Sequence, residues 1–245
     1  MSGSQIRRLL KQKKYVHLWA KYSLESKRNP EKRKVFYQKL QEYFKIEKDT
    51  PERLQVWFWD ESGFSLRVIR RKTWCQRGTQ KKVRGDRRKG RVNVMGGIRN
   101  SDKKRFVDFL SSNSNAENFY QVIRLFYDEI KNEWCQTGGQ REKFAEQGPK
   151  IVVILDNATF HKKPDWLQKI ATHMPNIHLE FLPEYSPDLN IIELVWHAAK
   201  EYLANRVFTF IEELEQLLHK LLNEGELIIH WGRKLKNKGN AVVAI

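Results

Sequence analysis

The chain has 245 residues, 40% hydrophobic and 12% aromatic, enough to fill a real core in one large or two small domains, so disorder throughout is excluded. Its 46 Lys and Arg against 29 Asp and Glu leave a formal charge of +17, which points to a polyanionic partner sooner than to a neutral metabolite; a merely basic surface is the bland alternative. There is no run of about 18 apolar residues and no signal-peptide apolar region, and the two cysteines, Cys75 and Cys135, outline neither a disulfide framework nor a zinc site, so an intracellular protein without a membrane segment is expected.

Residues 1–50 are basic and poor in strand formers, and Val35, Phe36, Leu40, Tyr43 and Phe44 recur at helical spacing between Pro30 and Glu47. This predicts a helical lead-in or linker. No complete helix-turn-helix is legible in it. Leu54 to Trp59 (LQVWFW) is an unbroken apolar and aromatic run, as expected of a strand covered on both faces. It ends in Asp60, at the strand end where open α/β sheets bind ligands. Asp is also common as strand-end punctuation, and the neighbouring Glu61 is expected on the opposite face. From Phe64 to Gly90 the chain turns basic and glycine-punctuated, carrying Arg70, Arg71, Lys72, Trp74, Arg77, Lys81, Lys82, Arg84, Arg87, Arg88 and Lys89. A DNA-facing insertion is expected, with cations on phosphates and Trp74 stacked on a base, unless Trp74 is a satellite core residue.

Val92–Ile98 and Arg105–Leu110 read as a hairpin around Asn100-Ser101-Asp102. Ser114-Asn115-Ala116-Glu117 matches a capping box before a helix whose core face is Phe119, Val122, Ile123, Phe126, Tyr127 and Ile130. Thr137 to Gly148 lacks periodicity and reads as a loop. Ile151–Leu155 (IVVIL) is the strongest buried-strand signal, and it too ends in an acid, Asp156. Asn157 and His161 follow, then Pro164 at the first position of a helix through Ile170. A strand from Ile177 to Leu182 leads into PEYSPDLNIIELVW (Pro183–Trp196), read as a turn at Tyr185-Ser186-Pro187 and a helix capped by Asp188 or Asn190. Glu193 sits inside that apolar run, either on an exposed face or as a functional acid. Thr209-Phe210-Ile211-Glu212 reads as a second capping box, opening a helix with Leu214, Leu217, Leu218, Leu221 and Leu222 on one face.

If the two acid-tipped strands are parallel neighbours, Asp60 and Asp156 lie side by side and Glu193 approaches from its helix. Three crowded carboxylates repel one another and are stable together chiefly when divalent cations neutralise them. Oxygen ligands select Mg2+ or Mn2+, and two such ions suit phosphodiester chemistry on the nucleic acid that the charge implies.

LDNATFH (Leu155–His161) and PEYSPDLNIIELVW resemble the signature blocks of DDE transposases of the mariner and bacterial insertion-sequence superfamily. FWDESGF (Phe58–Phe64) resembles the block carrying the first acid, and TWCQRG (Thr73–Gly78) the segment after it. The resemblance implies an α/β, ribonuclease-H-like fold, a mixed five-stranded sheet flanked by helices after the helical lead-in. It divides the chain into the lead-in at 1–50, a catalytic domain at 51–206, and a helix and basic tail at 207–245. It makes Asp60, Asp156 and Glu193 the catalytic metal ligands of two Mg2+ or Mn2+ ions, with Asn157, His161 and Asn190 beside the site. The activity implied is cleavage of double-stranded DNA at transposon ends and joining of the 3′-hydroxyl to target DNA, at TA in this group, by a homodimer on the bacterial nucleoid in the cytoplasm. Ile191 replaces the proline that the family carries in its N-P-x-E segment. The amino-terminal helical DNA-binding modules of the family are not matched, and a separately encoded helix-turn-helix subunit would supply them. A general nuclease of the same fold and an inactive DNA-binding remnant are the alternatives.

Overall fold

The structure is a computed structural model that describes residues 2–17, 25–83, 85, 89–111, 113–229 and 231. A mixed sheet runs through its centre, built from β1 (Leu54–Ser65), β2 (Arg91–Arg99), β3 (Arg105–Leu110), β4 (Lys150–Leu155) and β5 (Ile177–Phe181). Its spatial order is β3-β2-β1-β4-β5. The β1–β2 and β2–β3 pairs are antiparallel and the β1–β4 and β4–β5 pairs parallel. The helices are α1 (Gly3–Gln12), α2 (Pro30–Asp49), α3 (Ala116–Gln136), the one-turn α4 (Phe144–Gln147), α5 (Pro164–His173), α6 (Ile192–Tyr202) and α7 (Ile211–Leu222).

The strand periodicity of two divides the core. Val56 and Phe58 of β1 belong with Phe36 and Leu40 of α2, Val195 and Trp196 of α6, and Leu214 and Leu218 of α7. Trp57 and Trp59 belong with Phe119, Ile123 and Phe126 of α3 and Ile170 of α5 on the other face. Both faces of the central strands are therefore dry, which is why β1 and β4 read as continuous apolar runs. Each fully buried Phe, Ile or Val contributes roughly 1.5–3 kcal/mol. The lead-in is docked as well as helical: the Glu47 carboxylate accepts from the Val56 amide (2.9 Å) and from Asn100 Nδ2 (2.8 Å), tying α2 to β1 and to the β2–β3 turn. Among the described residues, no helix is long and apolar enough to cross a membrane.

Several local expectations are corrected. β1 does not stop at Trp59 but continues through Asp60 to Ser65, because antiparallel pairing with β2 runs on to Ser65 opposite Arg91 and supplies the hydrogen bonds that a turn was expected to end. The cap of α3 is Asn115, whose side chain accepts from the Asn118 amide at 2.8 Å, rather than Ser114. The expected loop at 137–148 contains a 3₁₀ turn and α4, which buries Phe144. At α7 the N-cap position is Phe210, and it is Glu213, not Glu212, whose carboxylate accepts the Thr209 amide (2.7 Å). Helix α6 has no side-chain cap; a 3₁₀ turn at Pro187–Leu189 leads into it instead. Asp188 is unavailable for capping because Arg33 (2.7 Å) and Arg28 (3.1 Å) hold its carboxylate.

Candidate active site

The acids are placed by the point at which two strands part. Parallel pairing of β1 with β4 ends at Phe58 opposite Ile154; two residues further on, Asp60 is still within β1, and Asp156 is the first residue after β4. Asp60 lies mid-strand in β1, just beyond its last β4 partner, rather than at the expected strand end, and the charge of Asp156 is felt there. Asp60 shares the parity of Phe58 and faces the layer that contains α6. Glu193, in the first turn of α6, is exposed, while Ile192, Val195 and Trp196 around it are buried.

Asn190 locks this helix to the strand. The Val56 carbonyl faces β2, where it accepts from the Asn100 amide, so by alternation the Trp59 carbonyl faces the β4 side, beyond the last paired residue. There Asn190 Nδ2 donates to it at 2.9 Å, and the Asn190 carbonyl accepts the Glu193 amide at 3.3 Å. One buried amide thus joins the residue before Asp60 to the start of the helix carrying Glu193.

The electrostatics follow from this crowding. Burial, and then the negative charges of Glu61, Glu193 and Asp156, push the Asp60 carboxyl well above the usual range. Asp156 is pulled the other way, chiefly by a hydrogen bond from His161. His161 is buried (1% exposed) against Phe119 and placed between two acids, with Nδ1 3.1 Å from Asp156 Oδ1 and Nε2 3.0 Å from Glu61 Oε1. Burial opposes its charge, but the two carboxylates outweigh burial and push the imidazole up to about 9. Asn157 donates to the Leu182 carbonyl and accepts from Lys162, pinning the loop after β4 to the end of β5.

The donor set suits a hard divalent cation. Its oxygens come from carboxylates, and burial together with the surrounding negative charge disfavours ionised Asp60, a cost that a bound cation would offset. Among the described residues, no three His, Cys, Asp or Glu side chains close on one point as a cage does. Magnesium does not need a cage, because one or two carboxylates with substrate phosphates and water complete its octahedron. Asp60 with Asp156, and Asp60 with Glu193, are the pairs that fit such a group.

The basic segment is an excursion between β1 and β2, closed at its base by the Leu66 amide on the Gly90 carbonyl (3.1 Å). Arg70, Arg71, Lys72, Arg77, Lys81, Lys82 and Lys89 are exposed, while Arg84, Arg87 and Arg88 lie outside the described residues. Trp74 is 100% exposed, so it is no satellite core residue. Arg71 is committed to Glu201 of α6 at 2.6 Å, and Asn205 bonds both its amide and its carbonyl. Sequence reasoning missed three residues. Glu61 joins the site through His161, and Arg28 and Arg33 clamp the turn before Glu193. Arg28 also donates to the carbonyl of Tyr185, held at φ +57. Only the path of the 156–162 loop brings His161 to Glu61, so no spacing signal announces that pairing; the arginines signal themselves only as a basic patch.

Residues 55–215, well over half of the chain, match the family described as DDE superfamily endonuclease. A stretch of 88 residues is 35% identical to an uncharacterized protein of Sinorhizobium fredii, covering 33% of this chain and 62% of that protein. Among solved structures, the catalytic domain of Mos1 mariner transposase superposes with a TM-score of 0.56 at 15% identity, over 83% of this chain and 85% of that one. The Mos1 paired-end complex with left transposon end matches with a TM-score of 0.62 at 15% identity, over 91% of this chain and 63% of that one. The chain thus spans less than two thirds of that longer Mos1 polypeptide, and the likeness establishes the ribonuclease-H-like fold. With the matched stretch running from β1 into α7, the chain belongs to the DDE superfamily of endonucleases.

Proposed function

We propose that this chain is a transposase that uses divalent cations to cleave DNA at transposon ends and to join the freed 3′-hydroxyl to target DNA, with Asp60, Asp156 and Glu193 as the metal ligands. The observation that carries the reading is the register of β1 and β4. It supports the reading because Asp60 lies two residues past the last β4 partner and Asp156 directly follows β4, with the third acid on the helix that Asn190 braces to β1. The Mos1 structures include paired-end complexes with Mn and with Mg and a strand transfer complex, which supports the same cations and a DNA substrate here.

Two ions bound at these acids would make the attacking oxygen more acidic and neutralise charge at the leaving oxygen. The residues of the chain supply what such chemistry needs. Asp60 presents its oxygens from a strand, Asp156 from the loop directly after β4 and Glu193 from a helix packed on its apolar face, and the exposed cations of the 66–90 excursion neutralise phosphates. Joining two transposon ends requires two active sites, so a homodimer assembled on DNA and insertion at TA follow the family pattern.

Asp156→Asn is expected to abolish Mg2+-dependent nicking while leaving DNA affinity largely intact; unchanged nicking would refute the assignment. Transposon-end duplex supplied with a target plasmid should yield joined product. Cleavage without joining would make the chain a general nuclease of the same fold.

A further inference from the structure

We propose that Glu61 and His161 form a positioning relay that fixes the Asp156 carboxylate and leaves one of its oxygens for the metal, an inference that rests on Asp156 being a ligand. Asp156 Oδ1 accepts twice, from the Ala158 amide at 2.9 Å and from His161 Nδ1 at 3.1 Å. Asp156 Oδ2 accepts no hydrogen bond among the described residues. The two donors set the rotation of the carboxylate, because both must stay in the plane of one oxygen. His161 is in turn oriented from its far side by Glu61 Oε1 at 3.0 Å and held between Phe119 and Phe160, with ring centroids at 4.5 and 4.2 Å. Contacts at both ring nitrogens fix the plane of the imidazole between the two carboxylates.

The relay also joins the two strands of the site. Glu61 is the residue after Asp60 on β1, and its side chain passes to the α3 side of the sheet while Asp60 faces the α6 side. His161 lies in the 3₁₀ turn at Thr159–Lys162 that follows β4. Glu61 and His161 therefore fasten the Asp156 loop to β1 from the face opposite Asp60, where the strands are no longer paired. Outer partners of this kind hold ligating side chains in place, and losing one weakens metal affinity about 10–100-fold.

The test is Mn2+ calorimetry on the folded full chain, with Asp156→Asn as reference. Glu61→Ala and His161→Phe should each weaken Mn2+ binding about 10–100-fold, and the double variant should bind no more weakly than the weaker single variant. Glu61→Gln keeps a hydrogen-bonding group at Nε2 and should stay near wild type. Wild-type Mn2+ affinity in Glu61→Ala, or additive losses in the double variant, would overturn the relay. Should His161→Phe fail to fold, Glu61→Ala alone decides, since Glu61 is partly exposed. Wild-type affinity in Asp156→Asn would refute the ligand role itself; loss there with none in Glu61→Ala refutes only the relay.

Discussion

Asn190→Ala removes the amide that takes over from β4 on the Trp59 carbonyl. The side chain is 5% exposed, and its Nδ2 donates to that carbonyl at 2.9 Å. Truncation leaves a buried carbonyl unpaired, which costs about 1–3 kcal/mol. Asn190 Oδ1 is itself buried without a protein partner among the described residues, so its removal relieves part of that cost and about 1–2 kcal/mol is the expected net loss. With a urea dependence of about 2 kcal/mol per molar, the unfolding midpoint should fall by about 0.5–1 M. The effect on chemistry should be larger. The same amide sets the distance between the strand bearing Asp60 and the helix bearing Glu193, and a shift of about 1 Å in such a site lowers rate by roughly 100-fold. Urea unfolding followed by tryptophan fluorescence, beside plasmid nicking in Mg2+, measures both. Wild-type stability together with wild-type nicking would refute the reasoning. A loss of stability alone would make Asn190 a brace without a positioning role.

The remaining expectations concern other parts of the molecule. Arg99 bonds both Asp102 (2.6 Å) and Glu133 (2.8 Å); burial raises both carboxyls, and the guanidinium outweighs it, so both sit below their usual 3.8 and 4.5. The folded state then binds fewer protons than the unfolded one as pH falls below about 4.5, so this stabilisation is present above that pH and is lost as pH falls through the lowered values. Arg99→Met keeps an unbranched apolar stem but removes the guanidinium, which also lies over Trp57, and should show its deficit in urea at pH 7; the deficit should narrow towards pH 3, and a constant difference would contradict the assignment. Lys81 and Lys82 are exposed, so replacing both with Ala should leave stability unchanged. If both lysines neutralise phosphates, the slope of log affinity for duplex DNA against log salt should lessen by about 0.9 for each lysine removed, measured by fluorescence anisotropy. An unchanged slope would place the DNA elsewhere.

What the sequence made legible was the part of the fold governed by local periodicity. β4 was plain because IVVIL is covered on both faces, and the core face of α3 followed from helical spacing. The ends of elements were harder because distant partners set them. β1 runs past Asp60 only because β2 continues beside it, and Asp-Glu-Ser-Gly, which looks like a turn in isolation, becomes strand once paired. Asp188 has the chemistry of a cap, but two arginines more than 150 positions away in the chain claim it. The acids could be nominated from their places after apolar runs, whereas Glu61, by parity on the far side of the sheet from Asp60, could not. Its link to the site is a loop conformation rather than a repeat.

The most direct test of the central claim is anomalous scattering at the manganese edge from crystals grown with Mn2+ and transposon-end DNA. If Asp60, Asp156 and Glu193 are the metal ligands, manganese should lie between Asp60 and Asp156, with a second ion on the Glu193 side. Manganese bound elsewhere, with these three side chains free of it, would contradict the assignment.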